Sequence, residues 1–420
     1  MRILKLTPKL QKQLLAVRSA PDAAALRVAA RIIAGVKRRG DAALFAWTKK
    51  LDGLDLRRSG VWIGAAEIAV ARNAAAPDFL GAVEHAAANV RRVAEKQLPQ
   101  PWTIEVEPGV RIGQIVRPID AIGCYVPGGR FALISTMIMT VVPAQVAGVR
   151  QCIVACPKPS RELLAAASLL GVKEIASIGG AQAIAALAYG TKSVPRVDKI
   201  FGPGNRFVTA AKQLVAHDCA IDLPAGPTEA IVLAAHGNPR WIAADLIAQA
   251  EHAPDAGSFL VTTSTSLARR VQREIASQLN SLAATNPAHE SLRKVGAMLV
   301  ADSLVQACEF VNDFAPEHLS LAGGGERPDE LLEKIRAAGT VFVGPWAAQA
   351  LGDYASGSNH VLPTAGWARR RGGLSAADFV KCISVQSINA RGFANLADDV
   401  QRLARAEGLL GHANAIEVRR

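Results

Sequence analysis

The stretch Asp245-Leu-Ile-Ala-Gln-Ala-Glu-His-Ala-Pro-Asp255 reads as the last turns of a helix halted by Pro254. Gln249 and His252 lie three apart, so an amide and an imidazole leave one helical face and can supply half of a metal site. On that segment alone, a polar helix end facing water is the simpler reading. Other chemistry-capable residues lie further along. Ala315-Pro-Glu-His318 sets a carboxylate beside an imidazole, Gly352–His360 carries Asp353 and His360, and Glu407 and His412 sit near the C-terminus. A set of Gln, two His and an Asp offers the mixed N/O ligation that suits zinc or a similar divalent ion. These residues are far apart in sequence, and the alternative in which each serves its own local surface or core outweighs convergence. The remaining histidines, His85, His217, His236 and His289, have no comparable company.

The elements that must position these residues fall into two α/β runs. A helical stretch from Ala20 to Gly40 has Asp22 as its N-cap and Gly40 as its stop, and helices follow near Ala65–Ala76 and Leu80–Glu95. Pro99, Pro101 and Pro108 lead into a β-like Val110–Val116. From Ile119 to Pro227 short apolar strands alternate with helices, which implies a parallel sheet that binds ligands at the carboxyl ends of its strands. Three glycine loops fall at those ends: Tyr125–Gly129, Gly179–Gln182 and Gly202–Asn205. Glycine lets backbone approach a phosphate, and the helix that follows favours negative charge. None of the loops matches G-x-G-x-x-G, since Phe207 occupies the third glycine position after Gly202 and Gly204. Simple turn chemistry explains any one loop; three in register are harder to dismiss.

The second run starts at Ala230–Ala234 and closes on a helix at Pro328–Ala338 and a strand at Thr340–Val343. Gly344–Gly373 reads as one long loop, a feature that is usually functional in a compact protein. The tail reads as a strand followed by a helix at Leu396–Leu410.

The 420 residues call for more than one core. Apolar runs are broken before the roughly 20 residues of a membrane span. The N-terminus lacks the apolar region of a signal peptide, so the expected location is cytoplasmic. Lys and Arg exceed Asp and Glu by twelve (48 − 36), which favours acidic ligands or a nucleic-acid surface. The basic residues are scattered, however, and no aromatic residues interleave with them, so a solvated basic surface is the better reading. The six cysteines are expected as reduced thiols, with Cys152 and Cys156 in a buried strand.

Over its whole length the chain resembles histidinol dehydrogenase. The matching stretches are Tyr125-Val-Pro-Gly-Gly129, Ile178-Gly-Gly-Ala-Gln182, Phe201-Gly-Pro-Gly-Asn205 and Asp222-Leu-Pro-Ala-Gly-Pro-Thr-Glu229. They continue in Gln249-Ala-Glu-His252, Ala315-Pro-Glu-His318, Gly352-Asp-Tyr354, Asn359-His-Val-Leu-Pro363 and Glu407-Gly-Leu-Leu-Gly-His412. The resemblance implies two Rossmann-like α/β domains, both without the standard glycine fingerprint, and an extended C-terminal tail. Residues 1–20 would form a helical segment and 21–117 would join 228–373 in a large domain with the zinc and catalytic residues. Residues 118–227 would bind NAD, and 374–420 would cross to a partner subunit.

It further implies oxidation of L-histidinol to L-histidine through the aldehyde, with two NAD and one zinc ion per subunit, in a homodimer. Neither a membrane nor a nucleic acid belongs to that picture. Gln249, His252, Asp353 and His412 match the family's zinc ligands, and Glu317 and His318 its catalytic pair. Thr228, Gln249, His252, His318, Asp353, Glu407 and His412 match residues around the substrate; Tyr125, Gln182 and Asn205 match NAD contacts. His318 would take the hydroxyl proton and Glu317 would activate the water of the second oxidation.

Thr228 stands where the family more often has Ser, Ala253 where Gly is common and Ile134 where Pro is common. None of these removes a mapped ligand. Two competitors stay open, a related dehydrogenase for another alcohol and a non-catalytic binding protein; a zinc hydrolase also fits a Glu/His pair beside a metal but would leave the three glycine loops idle. A thiol nucleophile at Cys124, next to Tyr125, is the internal competitor for aldehyde oxidation.

Overall fold

The computed structural model describes every residue except 19–21, 129–132, 225 and 323–327. Gly129 and Ala225 of the motifs above, and the expected helix start at Ala20, therefore lie outside the described residues. A strand and a helix open the chain, β1 (Arg2–Lys5) and α1 (Pro8–Arg18). Then come α2 (Ala23–Arg39), α3 (Asp41–Asp52), α4 (Leu56–Ser59), β2 (Trp62–Ile63), α5 (Ala65–Asn73) and α6 (Pro77–Gln97). Helix α2 begins where its cap predicts: the Asp22 carboxylate accepts from Ala25 N at 2.9 Å, and Gly40 follows the last turn. The strands β3 (Trp102–Glu107) and β4 (Val110–Pro118) form an antiparallel hairpin.

The first α/β run contains β5 (Ala121–Tyr125), α7 (Ile134–Ala147), β6 (Gln151–Ala155), α8 (Arg161–Leu169) and β7 (Ile175–Ala176). It continues with α9 (Gly180–Tyr189), β8 (Lys199–Phe201), α10 (Arg206–Val215) and β9 (Ala220–Ile221). The strand order is β2-β7-β6-β5-β8-β9, parallel except at the β2 edge. Counting from β5, the parallel strands run 3-2-1-4-5. The order reverses at β5, so the crevice between the loops after β5 and β8 is a topological switch point.

The second run contains β10 (Glu229–Leu233), α11 (Pro239–Ala250), β11 (Gly257–Thr262), α12 (Thr265–Leu279), α13 (Pro287–Lys294) and β12 (Ala297–Val300). Then follow α14 (Leu304–Phe314), β13 (His318–Leu321), α15 (Pro328–Leu332) and β14 (Thr340–Val343). This sheet is parallel throughout, in the order β1-β12-β11-β10-β13-β14. Counted from β10 it repeats the 3-2-1-4-5 arrangement. Its central strands β10 and β11 are buried along their full length, as a sheet covered on both faces requires. The chain ends in α16 (Gln349–Tyr354), β15 (Val380–Ile388), α17 (Ala390–Ala406) and α18 (Leu410–Glu417). Strand β15 pairs with β4, making a third sheet in the order β15-β4-β3.

Four expectations change. The N-terminal segment is not purely helical, because residues 2–5 add an edge strand beside β12, with Ile3 opposite Met298. Residues 23–97, grouped above with 228–373, pack on the sheet of 118–227, and α6 also meets the segment after α16, where Asn89 Nδ2 donates to Ala355 O at 2.9 Å. The apolar stripe Ala25, Ala29, Ile32 and Val36 of α2 shares one core with Ile184 and Leu187 of α9 and Val208 and Ala211 of α10. Strand β2 also joins β7. The long loop after β14 contains α16, so Asp353 is a helical residue. The tail holds two helices, separated at Gly408 (φ +75°). Among the described residues no helix is long and apolar enough to cross a membrane.

The face of α11 that carries Gln249 also carries Asp245, one turn earlier. Asp245 is half-buried and has no ion-pair partner among the described residues; burial pushes its carboxyl up to about 6. A carboxyl raised in the fold contributes stability that is fully present below the unfolded value and is lost as pH rises through the folded one. Asp245→Asn is therefore expected to stabilise the protein by about 1–2 kcal/mol at pH 7 and to be neutral near pH 4. Denaturant melts at the two pH values check this.

Candidate active site

Helix α14 ends at Ala315, a buried alanine in the left-handed region (φ +49°) whose N–H closes on Val311 O at 2.7 Å. Pro316 then turns the chain into Glu317 and β13, so the two buried residues Glu317 and His318 arrive at the amino end of a central strand. Glycine is required behind them, because a Cβ on Gly339 would lie 2.5 Å from Glu317 O.

The Glu317 carboxylate accepts from Thr228 Oγ1 and, at 3.0 Å, from Glu229 N, both at the amino end of β10. Thr228 Oγ1 in turn accepts from Gln249 Nε2 at 2.9 Å, and Gln249 Oε1 accepts from Gln349 Nε2 at 2.7 Å. Gln349 lies four residues before Asp353, on the same face of α16. His318 stands between two carboxylates: Nδ1 is 3.7 Å from Glu317 and Nε2 is 3.5 Å from Asp353. Neither buried ring nitrogen makes a hydrogen bond.

Burial opposes protonation of His318, but the Glu317 and Asp353 carboxylates outweigh it and hold the imidazole above its usual value. Burial lifts Glu317 above the ordinary carboxylate range against the pull of His318 and Thr228. For Asp353, burial is outweighed by His318 and the neighbouring imidazoles, and its carboxyl lies below the usual range. Groups pushed apart in this way mark an acid–base site.

Gln249, His252 and Asp353 come together with Glu317 and His318. Gln249 is linked through Thr228, Asp353 touches His318, and His252 lies close enough to lower the carboxyls of Glu317 and Asp353. His252 is exposed just beyond α11, with Nδ1 3.3 Å from Ala248 O, which leaves Nε2 as its free nitrogen. Among the described residues no group of three or more His, Cys, Asp and Glu side chains is placed to hold a metal. Glu407 and His412 do not join the set. Both are exposed, the first at the C-cap of α17 and the second on α18, and these helices pack on each other and α17 on β15.

The three glycine loops meet at the carboxyl edge of the first sheet. Tyr125 ends β5, and its hydroxyl accepts from Gly180 N at 3.1 Å. Gln182 is fully buried: its Nε2 donates to Asp52 at 2.9 Å and its Oε1 has no partner. Asn205 is exposed and caps α10, accepting from Phe207 N at 3.0 Å and Val208 N at 3.2 Å.

Three contributors went unread in the sequence. Gln349 needed the helix that sequence reasoning took for a loop. Glu229, buried at the start of β10, gives its N–H to Glu317 and accepts from Ala365 N at 3.1 Å. Thr136 holds His360 Nε2 at 3.1 Å, while His360 Nδ1 faces Asp353 O at 2.9 Å, so His360 buttresses α16 from behind. Cys124 is buried with its sulfur 3.5 Å from that of Cys152, and that contact together with burial raises its pKa well above the usual thiol value. A thiolate is disfavoured there.

Three glycine loops at the carboxyl edge of a parallel sheet with a switch point, and a buried His held between two carboxylates, fit an α/β dehydrogenase. The family model for histidinol dehydrogenase matches residues 17–420. The histidinol dehydrogenase of Moorella thermoacetica is 46% identical over 402 residues, 93% of this chain and 94% of the relative. The crystal structure of histidinol dehydrogenase from Elizabethkingia anophelis superposes with a TM-score of 0.93 at 35% identity, covering 100% of this chain and 97% of that one. A histidine-biosynthesis protein of Photorhabdus laumondii, bifunctional by its name, is 43% identical over 398 residues, and the chain spans 49% of it. The chain belongs to the histidinol dehydrogenase family and is an oxidoreductase of histidine biosynthesis.

The Thr228 hydroxyl is the shared atom between Glu317 and Gln249. Thr228→Val is expected to lower kcat/KM by about 10- to 100-fold, the scale of a lost hydrogen bond to a charged group. Thr228→Ser, which keeps the hydroxyl, is expected to stay within about threefold. Steady-state kinetics on the two variants separates the hydroxyl from the methyl.

Proposed function

We propose that the enzyme oxidises L-histidinol to L-histidine through L-histidinal, with two NAD in succession and one zinc ion per subunit, as a homodimer with shared sites. The observation that carries this reading is His318, buried between the Glu317 and Asp353 carboxylates with neither ring nitrogen within hydrogen-bond geometry of a partner. A buried imidazole left without hydrogen bonds is costly unless a reacting group completes it.

The residues fit a metal. Gln249, His252 and Asp353 offer an amide oxygen, an imidazole nitrogen and a carboxylate oxygen, a donor set suited to zinc. One chain leaves that set incomplete, and His412 of the partner subunit is the proposed remaining ligand, with Glu407 of the partner subunit at the substrate's polar end. Zinc would orient and polarise the substrate, and NAD would accept a hydride in each oxidation. Tyr125, Gln182 and Asn205 are the proposed NAD contacts, of which only Asn205 is exposed in this conformation. Family membership also supports a cytoplasmic enzyme.

His318 accepts the carbinol hydroxyl proton as the carbon gives up its hydride, and the flanking carboxylates stabilise the resulting imidazolium. Water adds to the aldehyde carbon, with Glu317 taking its proton and the protonated His318 returning one to the carbonyl oxygen. The gem-diol then loses a second hydride and a second proton to give the carboxylic acid. Thr228 and Glu229 hold Glu317 so that one carboxylate oxygen is fixed and the other stays available.

Two NADH per histidinol are expected from the wild-type enzyme. In Glu317→Gln the ratio is expected to fall toward one, with histidinal accumulating, and an unchanged ratio of two would remove Glu317 from the water step. His252→Ala and His412→Ala are each expected to be inactive and poor in zinc. Mixed under conditions of subunit exchange, they are expected to regain about a quarter of wild-type activity, since half of the chains enter heterodimers with one intact site each. No recovery despite exchange demonstrated by mass spectrometry would count against shared sites.

A further inference from the structure

The Gly202–Asn205 loop is anchored by a buried ion pair that the proposed reaction does not use. Lys212, on α10, and Asp222, just after β9, pair through Lys212 Nζ and Asp222 Oδ1, with side chains 4% and 0% exposed. Both ends of the pair also hold Gly202. The Gly202 N–H donates to Asp222 Oδ2 at 2.7 Å, and Lys212 Nζ donates to Gly202 O at 2.8 Å. Leu223 N donates to Asp222 Oδ1 at 2.6 Å, so three donors meet the carboxylate. Gly202 has φ +109°, and a Cβ there would lie 2.0 Å from Tyr125 O, so the loop is pressed against the end of β5. At its other end Asn205 caps α10, which leaves Pro203 and Gly204 between two fixed points at a helix N-terminus.

A buried ion pair is a poor device for net stability, because apolar residues of the same volume serve as well or better. What an apolar pair cannot do is hold a peptide N–H and C=O at the same time. We propose that Lys212 and Asp222 are positioning residues that lock the Gly202–Asn205 loop in the shape that receives NAD; the proposal rests on that loop being the cofactor's. Arg371 extends the clamp. It donates to Asp222 O and, at 2.9 Å, to both carboxylate oxygens of Asp378, so the loop's anchor is tied to the segment that follows His360.

The test is the double variant Lys212→Met/Asp222→Leu, which removes both charges together, with Asp222→Asn as an isosteric second variant should the double variant not fold. The expected result is a folded protein with KM for NAD raised about tenfold or more, the scale of a lost charge-assisted hydrogen bond. KM for histidinol and kcat at saturating NAD are expected to stay within about twofold, a split that a merely structural role would not produce. Hydrogen exchange on the wild-type protein tests the underlying reading: NAD is expected to slow the amides of residues 204–208. No protection there overturns the loop's assignment and the proposal with it. Protection in the wild type, with unchanged KM for NAD in a folded variant, overturns the clamp alone.

Discussion

The constraint on which the molecule depends is the short connection Asp222–Thr228. It leaves the carboxyl end of β9 and enters the amino end of β10. A stretch this short cannot carry the chain around a domain, so the carboxyl edge of one parallel sheet is brought to face the amino edge of the other. Its two ends are fixed by chemistry on opposite sides. Asp222 holds Gly202 in a glycine loop, and Thr228 holds Glu317 beside His318. The candidate cofactor loops and the acid–base pair thus sit at opposite ends of one stretch of chain.

This geometry departs from the usual rule for open α/β sheets. The first sheet obeys it: the glycine loops lie at the carboxyl ends, at the switch point between β5 and β8. The second sheet has the same strand order but works from its amino ends, where Thr228, Glu229, Glu317 and His318 gather. Helix α11 explains how. It follows β10 and runs back along the sheet, so its final turn brings Gln249 and His252 to that same edge. The segment after β14 lies alongside α11, with Trp346 against Trp241 at one end and Gln349 bonded to Gln249 at the other. Asp353 is carried to His318 by that alignment.

The sequence reveals the parts of this arrangement that local chemistry decides. Asp22 caps α2, the glycine loops follow strands, and Gln249 shares a helical face with His252. It conceals what depends on long-range packing. The packing of α2 on α9 and α10 is decided by apolar stripes that lie more than a hundred residues apart in sequence. Helix α16 escaped notice because it has only six residues and no side-chain cap. It holds its place through Gln349 and His360 rather than through propensity. Ala315 is a further case: alanine at positive φ costs about 1 kcal/mol, and nothing in its own type announces the turn that Pro316 and the buried pair impose.

The tail carries the apolar surface that the proposed dimer would cover. Strand β15 is attached to the rest through β4, and α17 and α18 rest chiefly on each other. Leu403, Leu409, Leu410 and Val418 on these helices are exposed, as are Ile383, Val385 and Ile388 along β15 and Trp102, Ile104 and Val106 on β3. An arm with apolar side chains in water along so much of its length is unstable as a free surface and calls for cover. Leu409 and Leu410 lie three and two residues before His412, so in the proposed dimer a surface that buries these leucines lies close to the imidazole. The proposed zinc donors Gln249, His252 and Asp353 lie beside the exposed Trp346, Leu351 and Tyr354. In the proposed dimer the same docking that removes apolar surface from water delivers the remaining ligand. Zinc affinity and subunit association are then linked quantities, each strengthening the other by the same free energy.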